Sequence, residues 1–234
     1  MLCRIADLLV EIPEAGGMAP RCRDYLADTL SDADIRIRER MYSKDRWQDV
    51  DDDNYIYMDS GWLFYCRLLW FNGMMLHASA VAKDGKAYLF SGPSGMGKST
   101  HTRLWQKVFG SSAQVFNDDK PALRRLDDRW YAYGTPWCGK DGININMKVP
   151  LGGICFLKRG ESNAIRRLSS PEALAAIMTQ TQSRFSQAQD LDVLLRTLDD
   201  LIREIPVWEL TCRPDEDAAR LSYETMCCGT EGVI

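Results

Sequence analysis

Apolar runs of strand length recur along the chain, and turn signals separate them. The predicted strands cover residues 74–82, 87–90, 115–116, 153–158 and 206–212. Between the first two runs lies Lys83-Asp84-Gly85-Lys86, in which Asp-Gly is a strong signal for a two-residue hairpin turn. Residues 121–133 predict a meander of strands with a turn at Asp127-Asp128. The pattern therefore predicts antiparallel pairing in this part of the chain.

Helical spacing of apolar residues predicts most of the other elements. The predicted helices cover residues 21–30, 61–71, 97–109, 171–178, 191–204 and 214–226. Ser60 suits the N-cap of the second helix, and Asn72-Gly73 suits its end. In doubly wound folds each strand is followed by a helix, and the sheet is parallel. Here two strands joined by a turn precede the third helix, so we expect an α/β fold with a mixed sheet.

The first part of the chain predicts a small unit of its own. Residues 2–12 alternate loosely and residues 33–38 alternate cleanly between apolar and polar types, as strands do. We therefore expect a small α/β region over residues 1–58 and a larger domain over residues 59–234. The acidic cluster at residues 49–53 suits a solvated turn; a metal site there stays open, although the spacing fits no calcium loop.

Composition narrows the classes of protein to consider. The 234 residues are 45% hydrophobic and 26% charged, as in ordinary globular proteins, and the net charge of −4 disfavours a nucleic-acid partner. The most apolar stretch, residues 62–71, is interrupted by Arg67 and is too short to span a membrane. The N-terminus does not predict a signal peptide, and the eight cysteines form no C-x-x-C pair. We expect a cytoplasmic protein with reduced thiols, no membrane partner and no structural zinc.

The most specific motif lies between strand 87–90 and helix 97–109. Its sequence is Gly-Pro-Ser-Gly-Met-Gly-Lys-Ser, the G-x-x-x-x-G-K-S pattern of a phosphate-binding loop. Glycines let backbone N–H groups point at phosphates, and the following helix N-terminus favours negative charge. Lys98 can reach the β- and γ-phosphates, and Ser99 can hold Mg²⁺. The motif predicts binding of ATP or another nucleoside triphosphate, through the residues Gly92, Pro93, Ser94, Gly95, Met96, Gly97, Lys98, Ser99 and Thr100.

Phosphoryl transfer also needs carboxylates, and Asp118-Asp119 are the candidates. They follow the apolar Val115-Phe116 at the end of a predicted strand, where a metal-binding carboxylate lies in many phosphate-loop proteins. One aspartate would hold the ion, as would Ser99, and the other would accept the proton of the acceptor hydroxyl. The alternative is a surface turn, because Asn-Asp-Asp-Lys also suits turns.

Two further candidates are less specific. His77 lies in the strand that leads into the hairpin, where a lone histidine is more often a packed core residue than a catalytic one. Residues 134–140 combine glycine, an aromatic residue and Lys140, which could supply a cation to phosphate from a loop; a structured turn is the alternative.

Three segments together resemble the catalytic domain of the HPr kinase/phosphorylase family, and behind it the phosphoenolpyruvate carboxykinase-like fold. The segments are Leu-His-Ala-Ser-Ala-Val at 76–81, Ser-Gly-Pro-Ser-Gly-Met-Gly-Lys-Ser-Thr at 91–100 and Phe-Asn-Asp-Asp-Lys at 116–120. The resemblance implies a kinase that uses ATP and Mg²⁺. It implies that Asp118 and Asp119 form the metal-ligand and base pair and that His77 lies close to the transferred phosphate.

The resemblance also indicates the class of acceptor. HPr kinases carry a Glu-Ile-Arg-Gly type of signature after the aspartate pair, whereas this chain has Tyr-Gly-Thr-Pro-Trp-Cys-Gly-Lys. Shorter relatives include kinases of modified-peptide biosynthesis, so the resemblance implies a serine in a protein or peptide as acceptor. A small-molecule alcohol as acceptor and a nucleotide-sensing regulator without turnover stay as alternatives. Hexamers are frequent in the parent family, so homo-oligomer formation also stays open.

Overall fold

A computed structural model describes residues 1–15, 17–38, 52–181 and 188–228, which form a mixed α/β fold. The strands are β1 (Leu2–Ile5), β2 (Leu8–Glu11), β3 (Ile35–Arg36), β4 (Gly73–Met75), β5 (Ala78–Lys83), β6 (Lys86–Ser91), β7 (Ala113–Asp119), β8 (Ala122–Leu126), β9 (Arg129–Tyr133), β10 (Lys148–Arg159), β11 (Ala164–Arg167) and β12 (Val207–Cys212). The α-helices are α1 (Met18–Cys22), α2 (Asp52–Leu68), α3 (Lys98–Phe109), α4 (Ser170–Met178), α5 (Ala188–Glu204) and α6 (Glu216–Cys228).

The long strand β10 connects the two halves of the nine-stranded sheet. Its start pairs antiparallel with β9, which continues through β8 to β4. Its later part pairs in parallel with β6 and β12. The register shifts between Leu151 and Gly153, where a Cβ on Gly153 would lie 2.4 Å from the Trp208 ring. The predicted mixed sheet is therefore confirmed.

The hairpin that the Asp-Gly signal predicts is also confirmed. Strands β5 and β6 pair antiparallel up to Lys83 and Lys86. Asp84 and Gly85 have φ angles of 50° and 73°. Both lie in the left-handed region that a type I′ turn requires, which Asp tolerates and Gly adopts at little cost.

The order of strands brings three distant segments to one edge of the sheet. Strand β5 lies between β6 and β7 and pairs antiparallel with both. Its first residue, Ala78, is therefore opposite Ser91 at the end of β6 and opposite Asp119 at the end of β7. Because β6 and β7 run in the same direction, their carboxyl ends and the residue before β5 meet at this edge.

Helices cover both faces of this sheet. Ala80 and Leu89 face a core that includes Leu194, Leu198 and Leu201 of α5. Their neighbours in the strands point the other way, since successive strand residues alternate between faces. That second core includes residues of α3 and α6. The sheet is thus the middle of three layers.

The N-terminal residues form a separate three-stranded sheet in the order β1-β2-β3. It packs against α2 and the β8–β9 hairpin in a third apolar cluster, which includes Phe64 and Trp137. The predicted boundary between residues 58 and 59 falls inside α2, which begins at Asp52 and not at residue 61. The division into two units stays a prediction, and residues 49–51 of the acidic cluster lie outside the described residues.

Tertiary pairing overrides one sequence prediction and adds one strand that was not predicted. The helix predicted over residues 21–30 is wrong beyond Cys22: after a 3₁₀ turn, Leu26 bridges Cys3 and the Ala27 N–H donates to the Leu2 carbonyl at 3.0 Å. Strand β11 was not predicted, because its exposed residues lack an apolar pattern. Among the described helices none is both long and apolar enough to cross a bilayer.

Candidate functional site

The predicted phosphate-binding loop lies between β6 and α3, as the motif requires. Gly92, Gly95 and Gly97 have φ angles of 145°, 76° and 107°, which only glycine adopts without strain. The loop residues 93–95 are exposed, and α3 begins at Lys98. The backbone N–H groups of the first turn of α3 therefore adjoin the loop, which suits an anionic ligand.

Lys98 is folded back onto its own loop. Its Nζ donates to the carbonyl oxygens of Gly92 at 2.9 Å and Pro93 at 3.3 Å. Burial lowers the pKa of Lys98, and the negative charges of Asp119 and Asp118 partly oppose this effect. The amino group is thus held within the loop and within the field of the aspartate pair.

Ser99 and Asp118 are in direct contact. The Ser99 hydroxyl donates to Asp118 Oδ1 at 2.9 Å, and Asp118 is 6% exposed. These two oxygen ligands fit Mg²⁺, which takes one or two protein oxygens and completes its shell with phosphates and water. No group of three or more His, Cys, Asp or Glu side chains that could hold a metal by itself occurs among the described residues. The donor set therefore suits a metal that arrives with a phosphate ligand.

Asp119, at the same strand end, contacts His77 through one carboxylate oxygen and Lys120 through the other. Its Oδ1 lies 3.1 Å from His77 Nε2, and its Oδ2 lies 2.5 Å from Lys120 Nζ. Burial would raise the pKa of Asp119, but the hydrogen bond from His77 and the charge of Lys120 outweigh it and hold that pKa well below the usual range. Asp119 also has a φ of 129°, a strained value for a residue other than glycine. The surrounding contacts thus fix an ionised carboxylate at this position.

The loop after β9 lies against the end of β7. The Gly139 N–H donates to the Asp118 carbonyl, and Cys138 forms an isolated bridge with Asp119. A Cβ on Gly139 would lie 2.8 Å from the Asp118 carbonyl oxygen, so the close approach requires glycine. Lys140 is the next residue, and its side chain is exposed. This loop therefore forms one wall beside the aspartate pair.

The N-terminal region also reaches this wall. The Tyr57 hydroxyl of α2 donates to the Cys138 carbonyl at 2.7 Å. The Arg21 guanidinium lies 4.5 Å from the centre of the Tyr57 ring, and Lys120 Nζ lies 5.3 Å from it. Two cations thus flank one aromatic ring next to Asp119.

A cavity of about 510 Å³ opens on the other side of the loop, between α3 and the ends of β10 and β12. Apolar atoms make up much of its wall. Its lining residues are Gly95, Met96, Gly97, Thr100, His101, Leu104, Leu157, Arg159, Gly160, Cys212, Arg213 and Pro214. Arg159 stands at this cavity and donates to the Gly95 carbonyl at 2.7 Å. The cavity is large enough for a small organic group next to the loop.

The sequence-predicted residues fall into two contacting pairs at one sheet edge. Ser99 contacts Asp118, and His77 contacts Asp119. The loop lysine and Lys140 lie in the segments that border them. Sequence reasoning missed Gln180, whose side chain contacts His77 across a separation of 103 residues. It also missed the Tyr57 contact with Cys138, and no local motif marks either residue.

Comparisons with known proteins give a family and structural neighbours of low similarity. No curated protein matches the chain in sequence. The chain is similar to the solved structure of the Hpr(Ser) kinase/phosphatase from Coxiella burnetii, with 13% identity and a TM-score of 0.36, over 66% of this chain and 94% of that chain. Residues 47–213, most of the sequence, match the family described as SynChlorMet cassette protein ScmC. The chain therefore belongs to the SynChlorMet cassette protein ScmC family.

Proposed function

We propose that this protein is an ATP-dependent kinase that transfers the γ-phosphoryl group to a hydroxyl, in the first place a serine of a protein or peptide. The observation that carries the proposal is the pairing at the sheet edge. Ser99 contacts Asp118 on the side of the loop, and His77 contacts Asp119 beside it. Phosphoryl transfer needs a metal-binding oxygen pair and an acceptor-orienting group within a few ångströms of one phosphate cradle.

The loop between β6 and α3 would bind the phosphates of the nucleotide. Its backbone N–H groups and the start of α3 would bind the polyphosphate, and Lys98 would leave the carbonyls of Gly92 and Pro93 to pair with phosphate oxygens. Ser99 and Asp118 would hold Mg²⁺, which would neutralise negative charge on the phosphates. The nucleoside would occupy the cavity on the other side of the loop, against Met96, Leu104 and Leu157.

Asp119 would orient the acceptor hydroxyl and take its proton. The acceptor oxygen attacks the γ-phosphorus, the bond to the oxygen that bridges the β- and γ-phosphorus breaks, and its electron pair stays on the leaving diphosphate. The hydroxyl proton passes to Asp119. Because the pKa of Asp119 is well below the usual range, this carboxylate first orients the hydroxyl as a hydrogen-bond acceptor and takes the proton as the new bond forms. Lys120 would keep positive charge next to the transferred group, and His77 would hold the other oxygen of Asp119 in place.

The resemblance of the motifs supports serine as the acceptor. The transfer assay described below distinguishes serine from other acceptors. The three segments at 76–81, 91–100 and 116–120 resemble those of the HPr kinase family, which implies a seryl hydroxyl as acceptor. A small-molecule kinase on the same scaffold would use the same four side chains. A nucleotide-sensing regulator would bind ATP with no transfer, and it would have no need of the Asp119–His77 pair.

The test is a transfer assay with γ-labelled ATP and Mg²⁺. We expect label on seryl peptides or on proteins of a cell extract, and we expect Asp119→Ala to lower transfer by about 10²-fold or more while nucleotide binding persists. Asp199→Ala, at an exposed position of α5, is the matched control and keeps full transfer. Label confined to small metabolites would establish the alternative kinase. Nucleotide binding without transfer to any acceptor would refute the kinase proposal, and full activity of Asp119→Ala would remove Asp119 from the mechanism.

A further inference from the structure

The residue before β5 is bound from outside the sheet by the segment that follows α4. The His77 backbone N–H donates to the Gln180 carbonyl at 2.7 Å. The hydroxyl of Thr181, which follows Gln180, donates at 2.7 Å to the carbonyl of Met75, two residues before His77. The end of α4 therefore fixes the backbone on which the His77 side chain is carried.

The side chain of Gln180 reaches the same histidine. His77 Nδ1 and Gln180 Oε1 are 3.1 Å apart, and both residues are only partly exposed. His77 Nε2, on the far side of the ring, faces Asp119 Oδ1. The ring is thus held between an amide and a carboxylate.

Hydrogen bonds at the end of α4 fix the direction of the amide. The Thr179 hydroxyl donates to the Ala176 carbonyl at 2.7 Å, so its lone pairs are available as acceptors. The Gln180 Nε2 group donates to this hydroxyl oxygen at 3.3 Å. The amide nitrogen is therefore turned toward Thr179, and the amide oxygen is turned toward the imidazole.

This arrangement fixes how the His77 ring is oriented. The Gln180 oxygen is only an acceptor, so Nδ1 must donate to it. Nε2, on the opposite side of the ring, lies 3.1 Å from Asp119 Oδ1. The amide oxygen therefore fixes the orientation of the ring through Nδ1, and Nε2 faces the predicted reaction centre.

We propose that Gln180 is a positioning residue that orients the His77 ring and keeps its Nε2 directed at Asp119 and the transferred phosphoryl group. The effect of Gln180 on phosphoryl transfer rests on the proposed kinase function. Its effect on the orientation of the His77 ring does not depend on that function. Residues that orient an active imidazole through its second nitrogen are a general device, and their loss commonly costs about 10-fold to 100-fold in activity.

The chain itself supplies a sharp test, because it contains two histidines in all. In a sample labelled with ¹⁵N-histidine, an Nδ1–H protected by a hydrogen bond gives a resolved imide signal at one fixed pH. The His77→Gln variant assigns the signal, and His101 provides an internal reference. We expect Gln180→Leu to lose the Nδ1–H signal of His77, whereas Gln180→Glu, which keeps an oxygen acceptor, retains it. Gln114→Leu, at an exposed position of β7, leaves it unchanged.

The second measurement is the rate of ATP hydrolysis, in which water is the phosphoryl acceptor. We expect Gln180→Leu to lower kcat by about tenfold at unchanged KM for ATP and Gln180→Glu to restore most of it. The double variant with His77→Gln should lose no more than His77→Gln alone, because both changes act through one ring. Additive losses, or a His77 Nδ1–H signal that persists in Gln180→Leu, would overturn the inference. Absence of transfer from the wild-type protein to every acceptor, water included, would refute the kinase proposal instead, and the NMR measurement would still decide the role of Gln180.

Discussion

Lys98 is the residue whose assigned role depends least on the identity of the acceptor. Its amino group donates to two loop carbonyls, and burial lowers its pKa. Phosphate oxygens would replace these carbonyls with charged partners, and each such bond contributes about 1.5–3 kcal/mol. We therefore expect Lys98→Ala to weaken ATP binding about 10-fold to 100-fold by calorimetric titration.

The matched control for this variant is Lys107→Ala, at the other end of the same helix. Lys107 is exposed and pairs with Glu216 at 2.8 Å, far along α3 from the loop. ATP affinity should be that of the wild type in this control. Equal affinity in Lys98→Ala and in the wild type would contradict the role given to the loop lysine.

Single residues were predictable where a motif fixes their neighbours. Lys98 and Ser99 follow from the loop pattern, since the pattern itself specifies a backbone conformation. Asp118 and Asp119 could be predicted because they end an apolar strand. That each contacts a different side chain could not be predicted. Gln180 could not be found from the sequence, because its contact with His77 depends on where α4 ends and not on any local pattern.

At the scale of elements, the site depends on how closely the loop after β9 approaches β7. Gly139 places its N–H on the Asp118 carbonyl, where a Cβ would lie 2.8 Å from that oxygen. Arg103 of α3 forms an ion pair with Asp141 and fixes the same loop from its other side. The loop therefore has little freedom to move away without loss of these contacts.

We expect Gly139→Ala to destabilise the fold by about 1–3 kcal/mol, because the added methyl group must push the loop off the strand. The displaced strand end would also lower phosphoryl transfer, since it carries both aspartates. Thermal unfolding of the variant measures the first effect. Lys140→Ala, one residue further on and exposed, should unfold at the wild-type temperature. A wild-type melting temperature for Gly139→Ala would show that the loop is not tightly packed there.

Elements were predictable where local chemistry and tertiary structure agree. The Asp84-Gly85 turn adopts the left-handed angles that these two residue types favour, so the hairpin was found. The segment 21–30 has helical periodicity, but Tyr25 is buried and donates to the Asn144 carbonyl at 2.8 Å. Leu26 then joins β1 by an isolated bridge, so sheet contacts replace the helix.

At the scale of the whole molecule, α3 links the candidate site to the helical layer through a second histidine. His101, in the first turn of α3, is 3% exposed. Its Nε2 lies 3.0 Å from the Ser222 hydroxyl of α6, and the Trp105 indole N–H also donates to that hydroxyl at 3.0 Å. The Phe90 ring centre is 4.3 Å from the His101 ring centre. The junction of β6, α3 and α6 thus encloses a neutral imidazole.

This burial makes the stability of the protein depend on pH. Burial lowers the pKa of His101 to about 4, and the charge of Asp215 opposes this only in part. In the unfolded chain the pKa is about 6.5. Between these two values the unfolded chain binds a proton that the folded protein does not, so stability falls as the pH falls from about 6.5 to about 4. Below pH 4 both forms are protonated, and this contribution no longer changes.

We expect urea unfolding to show that His101 lowers the free energy of unfolding by about 2 kcal/mol between pH 7 and pH 5. The reason is that one pH unit between the two pKa values changes this free energy by about 1.4 kcal/mol. Asp119 does not interfere in this window, because a carboxylate with a lowered pKa affects stability only near and below the pKa of the unfolded chain, about 3.9. His101→Gln should be less stable at pH 7 through lost packing but should lack this dependence on pH. His77→Gln is the control that keeps it. Equal pH dependence in His101→Gln and the wild type would mean that the imidazole at this junction already carries its proton in the folded protein.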